Sequence, residues 1–92
     1  MRRLEVTSQF RKDYKRMRKR GADMAQLESV LDRLLADAPL DNRNRDHQLT
    51  GNYAGFRECH IAPDWLLIYR KEDTRLILVA NRTGTHADLF DE

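Results

Sequence analysis

The side chains in this 92-residue sequence best suited to moving protons near neutral pH are three histidines, His47, His60 and His86. Asp64, Trp65, Arg82 and Phe90 accompany them. An imidazole of ordinary pKa, roughly 6.5, serves as acid or base. A guanidinium offers a bidentate clamp for an oxyanion, and an aromatic ring stacks on an unpaired base. The set suits scission of RNA by its own 2′-hydroxyl. That reaction needs a base for the hydroxyl proton, an acid for the leaving 5′-oxygen and a cation beside the phosphorane.

Each residue also has a plainer reading. A single histidine is more often structural or solvated than catalytic, Trp65 is a natural core residue, and Asp64 after Pro63 is a natural turn residue. A three-histidine metal site would use ligands 13 and 26 residues apart, which matches no compact zinc motif. No metal and no cofactor are therefore expected. Cys59 alternates away from His60 along a strand and reads as a small core residue, not a nucleophile.

The catalytic reading depends on elements that gather these residues. Arg3–Thr7 alternates as a short strand. Ser8 can cap a helix in which Phe10, Tyr14 and Met17 form the apolar face and Gly21 is the stop. Asp23 and Gln26 resemble a capping box that opens a second helix, with Met24, Leu27, Val30/Leu31 and Leu34/Leu35 inward and its end before Pro39. The short link at Gly21 makes the two helices an antiparallel hairpin. Residues from Ala38 to Asn52 lack periodicity and read as a long loop. Ala54–His60, Trp65–Arg70 and Arg75–Arg82 read as strands of an antiparallel meander.

The predicted fold is α+β, in the order β-α-α-β-β-β. A twisted, mostly antiparallel sheet carries the helix hairpin on one face. Strand direction then places His60 and Asp64-Trp65 across one turn, and brings Arg82 and His86 back to the same end. His47 lies seven residues before Ala54, a reach of about 23 Å, so it can join them although the topology does not require it.

Length and composition bound the rest. Ninety-two residues fit one domain, here 1–92. Apolar residues are 40% and charged ones 35%, which excludes an integral membrane protein and outright disorder. A lone cysteine allows no internal disulfide, and no secretion signal opens the chain, so a cytoplasmic location without membrane contact is expected. The net charge of +2 hides a division. Residues 1–20 hold nine basic and two acidic side chains, a balance of +7, against −5 for the remainder. Arg11, Lys12, Lys15, Arg18 and Lys19 on the first helix thus form a candidate surface for a polyanion.

Three stretches carry a resemblance. Asp46-His47-Gln48-Leu49-Thr50-Gly51, then Gly55 to Tyr69 with His60-Ile61-Ala62-Pro63-Asp64-Trp65 at its centre, then Arg82-Thr83-Gly84-Thr85-His86-Ala87-Asp88-Leu89-Phe90 are similar to the YafQ branch of the RelE/ParE toxin superfamily. The resemblance is close over 46–90 and looser over the helices. It implies a RelE-like fold and a type II toxin–antitoxin toxin, an endoribonuclease that cuts mRNA in the A site of the 70S ribosome without metal. It also implies an antitoxin partner, with which the chain would bind operator DNA.

Carried over by position, the family's functional histidines fall on His47, His60 and His86, its aspartate on Asp64 and its C-terminal phenylalanine on Phe90. Trp65 and Arg82 match residues near the family's active site. The resemblance gives His86 the role of proton donor to the leaving oxygen. It leaves the base open between Asp64 and His60, with His47 on the phosphate. Two other classes remain to be separated: a non-catalytic toxin that binds a protein such as DNA gyrase, and a simple RNA-binding module.

Overall fold

A computed structural model describes residues 1–91. Its elements are β1 (Arg3–Val6), α1 (Ser8–Lys19), α2 (Met24–Leu35), β2 (His47–Gln48), β3 (Arg57–Ala62), β4 (Trp65–Glu72), β5 (Ile77–Gly84) and α3 (His86–Phe90). One sheet runs in the order β1-β5-β4-β3-β2. β1 is parallel to β5, and every other pair is antiparallel. The expected α+β architecture is what the chain adopts, with four additions: one-turn helices at 42–44 and 51–53, the two-residue strand β2 between them, and the short helix α3 after the last strand.

The helix ends follow from local chemistry. Thr7, with extended backbone, caps α1 by accepting from the Phe10 N–H at 2.9 Å; Ser8 is already helical, so the expected cap lies one residue late. Gly21 adopts φ +85°. There the Ala22 N–H reaches the Met17 carbonyl and the Gly21 N–H reaches Arg18, the double closure of a Schellman end. Asp23 caps α2 by accepting from the Ala25 N–H, not from Gln26 as the capping-box spacing predicts. α2 ends with the same double closure although it has no glycine. Asp37 takes φ +54°, and its carboxylate is held by Arg2 and Lys71.

Strand alternation divides the sheet into two faces. On one, Cys59, Ile61, Leu67, Tyr69, Leu78 and Ala80 pack beneath Phe10 and Met17 of α1 and Leu27, Val30, Leu31 and Leu34 of α2. The Cys59 thiol is fully buried, and burial pushes its pKa up to about 12, which keeps it protonated and unreactive. On the other face Glu58 pairs across from Ile68, and His60 from Leu66. Leu66 and Ile68 form a smaller cluster with Leu89, roofed by Leu49, Tyr53, Phe56 and Phe90. The strands start and stop a few residues from their expected bounds. A one-turn helix at 51–53 runs into a turn at 54–55 where the expected strand would start, so β3 begins at Arg57 and extends past His60 to Ala62.

Candidate active site

Three groups of contacts build the site. The first anchors the loop before β3. Asp46 accepts from both Arg57 and the Tyr69 hydroxyl, and the Asn44 amide donates to the His60 carbonyl at 2.7 Å. These bonds lay His47 beside Glu58, as partners across the β2–β3 pair. The His47 Nδ1–H donates to the Arg45 carbonyl at 2.7 Å, because a carbonyl only accepts. Nε2 therefore faces Glu58, 3.6 Å from Oε1.

The second group is on β3. Glu58 and His60 are two residues apart and share a face. Glu58 Oε1 lies 3.9 Å from His60 Nε2, so one nearly buried carboxylate stands between two imidazoles. Neither approach is a hydrogen bond at that length, but both keep a negative charge beside the rings.

The third group joins the β3–β4 turn to α3. The Asp64 carboxylate accepts from the His86 Nδ1–H at 2.7 Å and from the His86 backbone N–H at 3.1 Å. The imidazole bond first, and the backbone bond second, hold Asp64 below the ordinary carboxylate range. The His86 and His60 rings stand 5.8 Å apart between centroids, edge to face. His47, Glu58, His60, His86 and Asp64 thus form one contiguous chain of alternating imidazole and carboxylate groups, broken only by that ring contact. Among the described residues, no group of three or more His, Cys, Asp or Glu side chains is arranged to hold a metal ion.

α3 has only five residues and needs support from outside. Thr85 and Asp88 close a capping box at its start. Arg20 grips the Asp88 carboxylate through two nitrogens, at 2.6 and 3.1 Å, and with the Thr85 bonds keeps it well below the usual carboxylate range. Gly84 leaves room for this, since a Cβ there would stand 3.0 Å from the Asp88 side chain.

Two expected site residues are placed elsewhere. Trp65 is 5% exposed; its indole N–H donates to Thr83 Oγ1 at 2.9 Å, and Thr83 in turn donates to the Leu66 carbonyl. A ring buried in the helix-side core offers no face to a base, which corrects its assignment as an RNA-stacking residue. Arg82 is corrected as well. β1 ends opposite Ala80, so beyond that point the outer edge of β5 is open to α1. There Arg82 Nε and Nη2 donate to the buried Asp13 carboxylate at 2.9 and 3.0 Å. Burial alone would push Asp13 up; the bonds from Arg82, Gln9 and the Thr83 N–H outweigh it and leave Asp13 lowered. Arg82 is a structural partner, not an open phosphate clamp.

Phe90 follows His86 by one turn of α3 and packs edge to face on Tyr53, 5.8 Å between centroids. Arg11, Lys12, Lys15, Arg18 and Lys19 are all exposed on α1, and none forms an ion pair within the described residues. The other basic side chains of the first twenty are paired: Arg2 with Asp37 and Asp73, Arg3 with Glu5, Arg16 with Asp13, and Arg20 with Asp88.

Residues 2–91 match the family described as bacterial toxin of type II toxin–antitoxin system, YafQ. The chain belongs to the YafQ family. A curated relative, the mRNA interferase toxin YafQ of Escherichia coli K12, is 41% identical over 88 residues, covering 95% of this chain and 94% of the relative. Among solved structures similar to this YafQ-family chain, the E. coli DinJ–YafQ complex gives a TM-score of 0.88 at 41% identity, covering 98% of this chain and 99% of that one. A metal-bound toxin from Helicobacter pylori gives 0.92 at 38% identity, covering 98% and 100%.

Proposed function

We propose a catalytic route for this chain, an mRNA interferase toxin of the YafQ family: general acid–base scission of mRNA in the ribosomal A site. The 2′-oxygen attacks the adjacent phosphorus, and the phosphorus–5′-oxygen bond breaks. His60 takes the 2′-hydroxyl proton, and His86 delivers a proton from Nε2 to the departing 5′-oxygen. The products are a 2′,3′-cyclic phosphate and a 5′-hydroxyl. Asp64 fixes the His86 ring with its hydrogen on Nδ1 and favours the imidazolium, a role that leaves His60 as the base. Glu58 keeps a negative charge beside both His47 and His60, and His47 borders the site as the group assigned to the phosphate. Phe90 with Tyr53 offers a stacking surface.

The observation that carries this reading is the His86–Asp64 bond with a second imidazole, His60, beside it. The unpaired basic face of α1 suits ribosomal RNA phosphates. The reading further includes an antitoxin partner, as in the DinJ–YafQ complex, operator binding together with that antitoxin, and action in the cytoplasm. Among the described residues no helix is long and apolar enough to cross a membrane.

The test is primer extension on a translated message with purified ribosomes. Cuts in frame with codons are expected, and His86→Ala should still bind ribosomes while cutting falls by at least about 10². Full activity in that variant overturns the assignment; growth arrest with broken DNA and intact mRNA would favour a protein target instead. EDTA should leave cutting intact, and a loss restored only by a divalent metal would overturn the metal-free route.

A further inference from the structure

A groove of about 820 Å³ lies between α2 and β3 on the helix side of the sheet, and His60 is the one member of the imidazole–carboxylate chain that borders it. His60 and Pro63 are among its lining residues, and Pro63 is followed directly by Asp64. Arg33, Arg43 and Arg45 line it as well, together with the apolar Val30 and Ile61. Asp23 and Asp41 line it too, but their carboxylates cap backbone: Asp23 accepts from the Ala25 N–H, and Asp41 from the Arg43 N–H.

Two of the three arginines are open to a ligand. Arg33 donates to the Pro39 carbonyl. Arg43 is 85% exposed and only 3.9 Å from Asp41, too long for a hydrogen bond. No ion pair or hydrogen bond engages the Arg45 guanidinium among the described residues. Arg45 also sits in the left-handed region, φ +48° and ψ +48°, where a residue with a Cβ is strained. Its N–H bonds to Asn42 and its carbonyl accepts from His47, so the backbone that holds this strain also holds a histidine of the site. Strain of this kind clusters at ligand clamps.

We propose that this groove binds the single-stranded RNA backbone leading away from the scissile phosphate. Arg43 and Arg45 engage phosphate oxygens, and Val30 and Ile61 lie against a sugar or base. The inference rests on the proposed RNA chemistry and adds the substrate's route. Guanidinium forks match phosphate geometry; among the described residues Arg45 has no acidic partner and Arg43 only a distant one, and the Arg45 carbonyl holds His47 of the site.

The test uses the full chain and a short fluorescein-labelled RNA with 2′-O-methyl riboses, which cannot be cut, read by anisotropy across a salt series. Arg43→Ala and Arg45→Gly, the latter suited to the left-handed backbone, should each weaken binding about tenfold. Each should also flatten the slope of log affinity against log salt by about 0.7. Arg45→Lys should recover most of the slope.

Unchanged affinity and slope in the two charge-removing variants would overturn the proposal, and so would absence of binding by the unaltered chain. In-frame cutting on ribosomes is scored separately, so failure of the groove is distinct from failure of the chemistry. Loss of antitoxin binding with RNA binding unaltered would overturn it as well and assign the groove to an acidic peptide.

Discussion

Two chains of opposite charges meet at α3, and they use different cations. One runs Arg20–Asp88–Arg16–Asp13–Arg82 and ties α1 to β5 and α3. The other runs His47–Glu58–His60–His86–Asp64 along the open face. Asp88 of the first and His86 of the second lie two residues apart on the same five-residue helix. Arginine keeps its proton at any pH the protein meets, so the first chain can only hold geometry. Imidazole gains and loses a proton near neutrality, so the second can do chemistry. Damage to the arginine chain should therefore show first as lost stability. Damage to the histidine chain should show as lost rate on an intact fold.

His86→Ala is the widest separation of the two. Its loss of at least about 10² in cutting should come with an unfolding midpoint within a degree or two of the unaltered chain, since the backbone N–H to Asp64 survives. A large fall in the midpoint would mean that His86 belongs with the structural set. Asp13→Ala should do the reverse. It strips partners from Arg82, Arg16, Gln9 and the Thr83 N–H at a fully buried position. We expect a cost of about 3 kcal/mol, at the low end for a broken buried pair because Arg82 retains a path to water. Urea unfolding measures it, and a cost below about 1 kcal/mol would show that water replaces the pair.

Asp64→Asn tests the titrating chain with a smaller effect. Asp64 is itself lowered, so it stays ionised well below pH 5 and cannot supply a limb of a bell-shaped rate profile near neutrality. Its negative charge favours the His86 imidazolium. Removing that charge should shift the alkaline limb of the single-turnover profile to lower pH and leave the acid limb in place. An unmoved alkaline limb would sever Asp64 from the acid.

The sequence makes much of this arrangement readable, and where it does not, the reason is local. Spacings of three and four residues through Phe10, Tyr14, Met17 and through Leu27, Val30, Leu31, Leu34 specify both helices. The meander brings His60, Asp64 and His86 to one end without any knowledge of side-chain contacts. That argument places a residue at a strand end but not on a side of it, so it groups Trp65 and Arg82 with the histidines although one enters the core and the other turns to α1.

Asp13 escapes the spacing argument, and the signal for it is its place between Phe10 and Met17 on an apolar face, where a carboxylate needs a buried partner. Glu58 escapes it too, and its signal is its place two residues before His60, on the same face of the strand. β2 is too short for any periodicity and is held by contacts outside it, among them the tether of Asp46 to Arg57 and Tyr69. α3 is as short, but Thr85 and Asp88 carry its capping-box spacing.

The smallest predicted effect falls where the two chains touch. Asp88 holds the start of α3 through Thr85 and receives Arg20. Asp88→Ala removes one half of a capping box and a mostly exposed arginine's partner, a loss of about 1 kcal/mol that lowers the melting midpoint by about 5 °C in a chain of this length. Because Asp88 is lowered, the stability it contributes is present above the ordinary carboxylate range and is lost as pH falls through its folded value. The melting difference between Asp88→Ala and the unaltered chain should accordingly be constant from about pH 5 to 8 and shrink below about pH 4. Cutting should fall by less than in His86→Ala, with the pH of its optimum unmoved. A shifted optimum would mean that Asp88 acts on the His86 proton directly, and the division between a chain that holds and a chain that titrates would fail at the helix they share.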